Sequence, residues 1–269
     1  MTKYRVLSLL QEHADGFVSG EALSDALGVS RTAVWKAVKA LRADGYDIQA
    51  VTNKGYRLGV QAQDVISEYE IRSHLHTRLI GRTVEVLDRV SSTNTYARAL
   101  ADNPSYNGHV VLANAQTNGK SKLHHDFVSP QGAGVYLSTV LRPANGKLED
   151  LPALRKATLN AVIQAVQEVT GVTVHLRALS ELEADGRKVG GILTDVSVES
   201  ESGRVDYAVI GIGLYVSQTA FSEEMQKEMV SLEQLSGQTV SRLKLICALL
   251  QALDEALAPF AEETDCSSQ

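Results

Sequence analysis

The spacing of apolar residues changes character twice along the chain. Between Arg5 and His13 they fall at Val6, Leu9 and Leu10, the stripe of a helix. Val18-Ser-Gly20 interrupts it, and Ser19 or Gly20 can cap a second helix through Glu21–Leu27, which Gly28 ends. Ser30 caps a third, Arg31 to about Ala43, with Val34, Val38 and Leu41 on one face. Trp35 is expected to pack beside Val34 and Val38. After Gly45 the pattern becomes strand-like: Tyr46–Val51, a turn at Thr52–Gly55, then Tyr56–Leu58. Helices joined by a glycine-containing turn and followed by a hairpin predict a winged helix-turn-helix over residues 1–60.

From residue 65 to 269 the pattern alternates between strands and long helices. Asp64–Leu75 reads as a linker helix and Thr83–Leu87 as a strand. Ser91-Ser-Thr-Asn-Thr95 opens a helix over Tyr96–Ala101. Apolar runs at His109–Leu112 and Gly134–Leu141 flank a long polar, basic insert, Ala113–Pro130. Leu151–Val169 is a helix, and Val172–Leu176 a strand. Arg177–Lys188 is polar, with a hairpin signal at Asp185-Gly186. Val189–Val198 and Val205–Val216 are strands, and Val240–Phe260 a helix with Leu243, Ile246, Cys247, Leu250, Leu253 and Leu257 inside. The body is therefore expected to be α+β, with a mixed or antiparallel sheet.

Charge sharpens the division. The net charge is −6, yet residues 1–60 hold eight Lys/Arg against six Asp/Glu, a net +2. A slightly basic head on an acidic body suggests two jobs. In a major-groove arrangement Ser30, Arg31, Thr32 and Lys36 would face duplex DNA, with Lys54 and Arg57 on the wing touching backbone or minor groove. A head docking on protein is the alternative, since +2 is a weak footprint for a polyanion. No apolar run reaches membrane-spanning length, no signal-peptide pattern opens the chain, and two cysteines lie in no metal or redox spacing. A cytoplasmic location is expected. His124-His125-Asp126 could be read as metal ligands, but nothing is spaced to complete a site, so no metal is expected. The insert is either a loop closing over an anion or polar ligand, or a solvated hairpin loop.

The order winged helix, Ser92-Thr93-Asn94, basic loop, Gly186-Arg-Lys-Val-Gly-Gly-Ile-Leu193, Ile210-Gly-Ile-Gly213 resembles the bifunctional biotin protein ligase and biotin-operon repressor family. The resemblance covers essentially the whole chain. It implies a biotin/lipoyl-ligase-like, class II aminoacyl-tRNA synthetase-like mixed-sheet domain. It also implies formation of biotinyl-5′-adenylate from biotin and ATP, transfer to a carrier-domain lysine, and dimerisation and DNA repression by the adenylate-bound protein. Carried over residue by residue, Ser92, Thr93, Asn94, Gln116, Gly119, Lys188, Gly191, Gly211 and Gly213 would line the ligand site. Lys120 and Lys122 would stand at the positions of loop arginines.

The departures from the family pattern gather at the chemistry. The loop motif Gly-Arg-Gly-Arg-x-Gly-Arg-x-Trp is Gly119-Lys-Ser-Lys-Leu-His-His-Asp-Phe127 here. Lysine lacks the guanidinium fork that grips phosphate. Lys-Trp-Pro-Asn-Asp becomes Arg177-Ala-Leu-Ser-Glu181, leaving Arg177 to replace the family's catalytic lysine, and a family asparagine becomes Tyr215. The family's small C-terminal SH3-like barrel has no counterpart in the sequence. The expectation is a regulator that binds an operator as a homodimer and senses biotin or another small ligand, with ligase activity lost. A working ligase, needing ATP, Mg²⁺ and a biotin carrier domain, is the first alternative. A ligand-binding protein with no DNA role is the second.

Overall fold

The computed structural model describes residues 2–14, 16–59, 64–121, 127–178, 180–217 and 221–261. They form two compact units that divide between Glu70 and Ile71.

The first unit holds α1 (Thr2–Glu12), α2 (Gly20–Leu27) and α3 (Arg31–Ala43), then β1 (Ile48–Val51) and β2 (Gly55–Leu58). The Ser19 hydroxyl accepts from the Ala22 amide and the Ser30 hydroxyl from the Ala33 amide, so both serines cap the helices that follow them. Gly28 ends α2 in the left-handed conformation. Val6, Leu7, Leu10, Leu23, Val34, Val38 and Leu41 meet in one core. Packing of this unit runs on past residue 60. Val65 joins the core, Tyr69 stacks on Tyr4 at 4.8 Å, and the buried Tyr46 hydroxyl donates to Glu70 at 3.0 Å.

Trp35 does not pack as its sequence neighbours suggest. It is 53% exposed, because the buried face of α3 is Val34, Ala37, Val38 and Leu41, and position 35 falls outside that stripe.

The wing is pinned at its base. Val18 and Tyr56 exchange backbone hydrogen bonds of 2.8 and 2.9 Å, adding an isolated bridge to the β1–β2 hairpin. Gly55 sits beside this bridge at φ +107°, and an added Cβ would lie 2.1 Å from the Val18 carbonyl oxygen. Gly55→Ala is therefore expected to cost about 2–3 kcal/mol, from backbone strain and the clash together. Hydrogen exchange across residues 16–59 checks this: protection should fall around the wing and around Val18.

The second unit is built on a seven-stranded sheet. Its strands are β3 (Val84–Val90), β4 (Val110–Gln116), β5 (Gly134–Leu141), β6 (His175–Arg177), β7 (Glu181–Ala184), β8 (Arg187–Val198) and β9 (Val205–Tyr215). Their order is β3-β4-β5-β9-β8-β7-β6; β3 and β4 are parallel and every other pair is antiparallel. The sheet is thus mixed, as expected. Two details differ from the sequence reading: the strand placed at Val172–Leu176 is seen at His175–Arg177, and Glu181–Ala184 is a strand rather than polar loop.

The helices of this unit are α5 (Thr93–Ala101), α6 (Leu151–Thr170), α9 (Arg242–Leu257) and the short α7 (Met225–Glu228) and α8 (Leu232–Ser236); α4 (Glu68–His74) spans the division between the units. The helix α5 lies across β4, β5 and β9, where Ala97 and Ala101 pack on Val111, Val140 and Val209. Small residues on α5 let it sit close to the sheet, which brings its N-terminus onto the β5 and β9 backbones. The helices α6 and α9 pack together. Among the described residues no helix is long and apolar enough to cross a membrane.

Candidate ligand pocket and winged-helix surface

The pocket is organised by strand register. Ser138 on β5 pairs with Gly211 on β9, which pairs with Leu193 on β8. Two residues along, Tyr136 pairs with Gly213, Gly213 with Gly191, and Gly191 with Glu181. Successive same-face rows of a sheet are about 7 Å apart. One row is polar and the next is aromatic.

The polar row is a closed hydrogen-bond network. The Ser138 hydroxyl, fully buried, lies 2.8 Å from Thr93 Oγ1 and 2.6 Å from Asn94 Oδ1. Asn94 Nδ2 donates to Asp195 at 3.1 Å. Gln116 Oε1 accepts from the Thr93 amide at 2.8 Å and lies 3.1 Å from the Thr93 hydroxyl, while Gln116 Nε2 donates to Ser129 Oγ at 2.8 Å. Ser92 caps α5, its hydroxyl accepting from the Thr95 amide at 3.4 Å. The glycine at 211 is a steric requirement: an added Cβ would lie 2.0 Å from Asn94 Oδ1.

The aromatic row carries Phe127. Its ring covers Gly191 and Gly213, and a Cβ on Gly213 would come within 2.5 Å of it. Phe127 stacks on Tyr215 at 5.1 Å and meets Tyr136 edge-on at 6.4 Å. Burial pushes the Tyr136 and Tyr215 phenols well above their ordinary value, so both keep their protons. Among the described residues the Tyr215 hydroxyl is buried without a hydrogen-bond partner. Lys188 Nζ pairs with Glu181 at 2.9 Å and lies 5.6 Å from the Phe127 ring centre.

Between these rows lies a cleft open to solvent, lined by Thr93, Asn94, Gln116 and Gly211 of the first, by Phe127, Gly191 and Gly213 of the second, and by Lys120, Ser121 and Ser180. Hydroxyl and amide groups at one end fit a hydrogen-bonding head, and apolar walls fit a hydrocarbon segment.

Ser92, Thr93, Asn94, Gln116, Lys120, Lys188, Gly191, Gly211 and Gly213 all line this cavity. Gly119 stands just behind it, where an added Cβ would lie 2.3 Å from the Phe127 carbonyl oxygen. Lys122 and His124-His125-Asp126 lie outside the described residues. Arg177, expected to replace a catalytic lysine, is not among the lining residues. It sits on the short strand β6 with its guanidinium 3.7 Å from Glu183 and 3.5 Å from the Gly186 carbonyl, half exposed. The lining cations among the described residues are Lys120 and Lys188. Ser138 and Asp195 were missed in the sequence. A serine within the fully buried run Gly134–Leu141 was the available signal.

On the winged helix, Thr32 and Lys36 are exposed on α3 and Lys54 is exposed on the wing. The Ser30 oxygen is engaged as a cap, which leaves its proton for an acceptor. Arg31 pairs with Glu21 at 2.7 Å, with both side chains largely exposed. Arg57 donates to Gln49 at 2.8 Å and lies over the Phe17 ring at 4.8 Å. The helix α3 carries Arg31, Lys36, Lys39 and Arg42 and no acidic residue.

Comparison with known proteins agrees with both units. Residues 2–57 match the HTH domain family, and residues 86–214 match the biotin/lipoate A/B protein ligase family. The bifunctional ligase/repressor BirA of Bacillus subtilis is 35% identical over 252 residues, 93% of this chain and 76% of that protein. The Escherichia coli BirA is 29% identical over 262 residues, 96% of this chain and 78% of its own length. The biotin protein ligase from Aquifex aeolicus, solved in complex with biotin and ATP, superposes with a TM-score of 0.56 at 27% identity, covering 68% of this chain and 73% of that one. With its helix-turn-helix head, its ligase-type sheet and this degree of identity over nearly its full length, the chain belongs to the bifunctional biotin ligase/repressor family.

Proposed function

We propose that this chain is a transcriptional regulator whose winged helix binds an operator in duplex DNA and whose ligase-like domain holds biotin as a signal, with adenylate-forming chemistry lost. The observation that carries the last point is the cation supply of the pocket. Activating a carboxylate with ATP places negative charge on phosphate oxygens that fixed positive groups must stabilise. Among the described residues the lining cations are Lys188, already paired with Glu181, and Lys120, which is exposed; Arg177 lies outside the lining, turned toward the β7–β8 hairpin. The hydrogen-bonding end of the pocket suits the ring of biotin, and the likeness to a ligase solved with biotin supports that choice. Homodimer formation would give the +2 head a second copy on the DNA, raising its electrostatic grip.

A second reading is favoured by a specific observation: 35% identity to a bifunctional ligase/repressor. In that reading biotin, ATP and Mg²⁺ yield an adenylate, and a carrier-domain lysine receives the biotin. One experiment separates the two. The full chain is incubated with biotin, ATP, Mg²⁺ and a biotin carrier domain, and calorimetry with biotin is run alongside. The expected result is a biotin-binding isotherm and no transfer above an ATP-free control. Transfer at a useful rate establishes the ligase instead. Biotin binding with no shift of any DNA would leave a ligand-binding protein without a DNA role.

A further inference from the structure

The exposed indole of Trp35 lies outside the core of the first unit. Its helix already buries Val34, Ala37, Val38 and Leu41, so the core is complete without it. Residues three, four and seven apart share a helix face, which groups Thr32, Trp35, Lys36 and Lys39 into one outward stripe. All four are exposed, and Lys39 Nζ lies 5.6 Å from the indole centre. A single exposed apolar side chain is ordinary on a surface; what sets Trp35, at 53% exposure, apart is its place within this cationic stripe. The stripe says which partner fits: it carries Lys36 and Lys39 and no carboxylate, so the complementary surface is a polyanion.

We propose that Trp35 is a sequence-determining residue of the DNA interface, packing its ring against a thymine methyl in the major groove. This rests on the DNA-binding reading above and adds the base class that is read. The stripe has the spacing of a recognition helix, whose exposed N-terminal residues meet base edges. Lysines 36 and 39 flank the ring and are placed to engage phosphates, which fixes position without reading sequence. The indole offers broad apolar area and a single N–H donor, with no acceptor. Among the four base pairs only A·T and T·A present a methyl group in that groove, next to the thymine O4 acceptor.

The test starts with the full chain and a random-sequence duplex library, selected for binding and sequenced. Wild type should enrich a motif with thymine at fixed positions. Trp35→Ala should lose the preference at those positions, about tenfold or more in affinity ratio. It should keep its nonspecific affinity and its salt dependence. Trp35→Phe should restore part of the preference, and Lys39→Ala should weaken all sequences alike. A second readout needs no variant: Trp35 is the sole tryptophan, so selected duplex should shield its fluorescence from acrylamide. If Trp35→Ala enriches the same motif with the same ratio, or duplex leaves quenching unchanged, the inference fails while DNA binding stands. Concentration-dependent shielding without DNA would assign the indole to a second copy and also overturn it. If wild type enriches nothing and shifts no duplex, the DNA-binding reading itself falls, and this inference with it.

Discussion

Asp254→Ala is expected to destabilise the larger unit by about 3–5 kcal/mol, the range for leaving buried, charge-linked partners unmatched. Asp254 lies in α9 and is 8% exposed. One carboxylate oxygen accepts from the Arg78 amide, and the other from the Leu79 and Ile80 amides, each at 2.8 Å. Three consecutive backbone donors just before β3 thus converge on one side chain from the far end of the sequence. Alanine would leave those donors to whatever water can reach them, and Leu79 and Ile80 are buried. A unit of this size loses about 2–4 °C in Tm per kcal/mol, so thermal unfolding of the full chain should move down by roughly 10 °C. Asp254→Asn should fall between, because its single carbonyl oxygen can serve two donors while its amide group opposes the third. A loss below about 1 kcal/mol for the alanine variant would show that the clamp contributes little beyond what solvent replaces.

The second large effect is expected at Gly211, with ligand affinity rather than stability as the readout. Alanine there would put Cβ 2.0 Å from Asn94 Oδ1 and 3.1 Å from its Nδ2. Asn94 is buried and held by Ser138 on one side and Asp195 on the other, so it has no rotamer to retreat into without breaking one of those bonds. Losing two buried hydrogen bonds within the protein should cost about 2–3 kcal/mol of stability, and the overpacking about 1–3 kcal/mol. Displacing Asn94 also reshapes the wall of the cleft it lines, so calorimetry with biotin on Gly211→Ala should show binding weakened by about tenfold or more. Gly16→Ala is the neutral control, since nothing lies within 4 Å of an added Cβ there. An alanine variant that binds biotin as tightly as wild type would mean the ligand does not use the Asn94 end.

Local rules made much of this legible from sequence. Ser19 and Ser30 cap α2 and α3 as their side chains dictate, and Gly28 takes the left-handed conformation that only a residue without Cβ adopts freely. The long apolar runs became β5, β8 and β9. What escaped was set by long-range placement. Glu181–Ala184 does alternate, with Leu182 and Ala184 buried, but two acids beside an Asp-Gly turn read as polar loop. Trp35 was judged by its sequence neighbours, whereas the helical repeat groups it with Thr32 and Lys39. Ser138 becomes a hub only because α5 crosses the sheet above it. Arg177 illustrates the converse: a residue matched to a motif position still needs its strand to aim it, and β6 aims it at the neighbouring hairpin.

The base of the polar insert has an implication for how this protein can change over time. The Phe127 amide donates to the Gly119 carbonyl at 2.8 Å, and the Gln116 amide to the Ser129 carbonyl at 3.1 Å. The chain therefore leaves and re-enters the sheet at a single point, closed at its base by these two hydrogen bonds. For such a closed circuit, doubling the number of residues adds only about 0.6 kcal/mol of closure entropy. Gln116 and Phe127 would keep their stations through substitutions, insertions or deletions between them. Ligand-facing chemistry can drift in this segment while the scaffold stays under separate selection. A lineage could retune, abandon or regain a reaction here without refolding anything else.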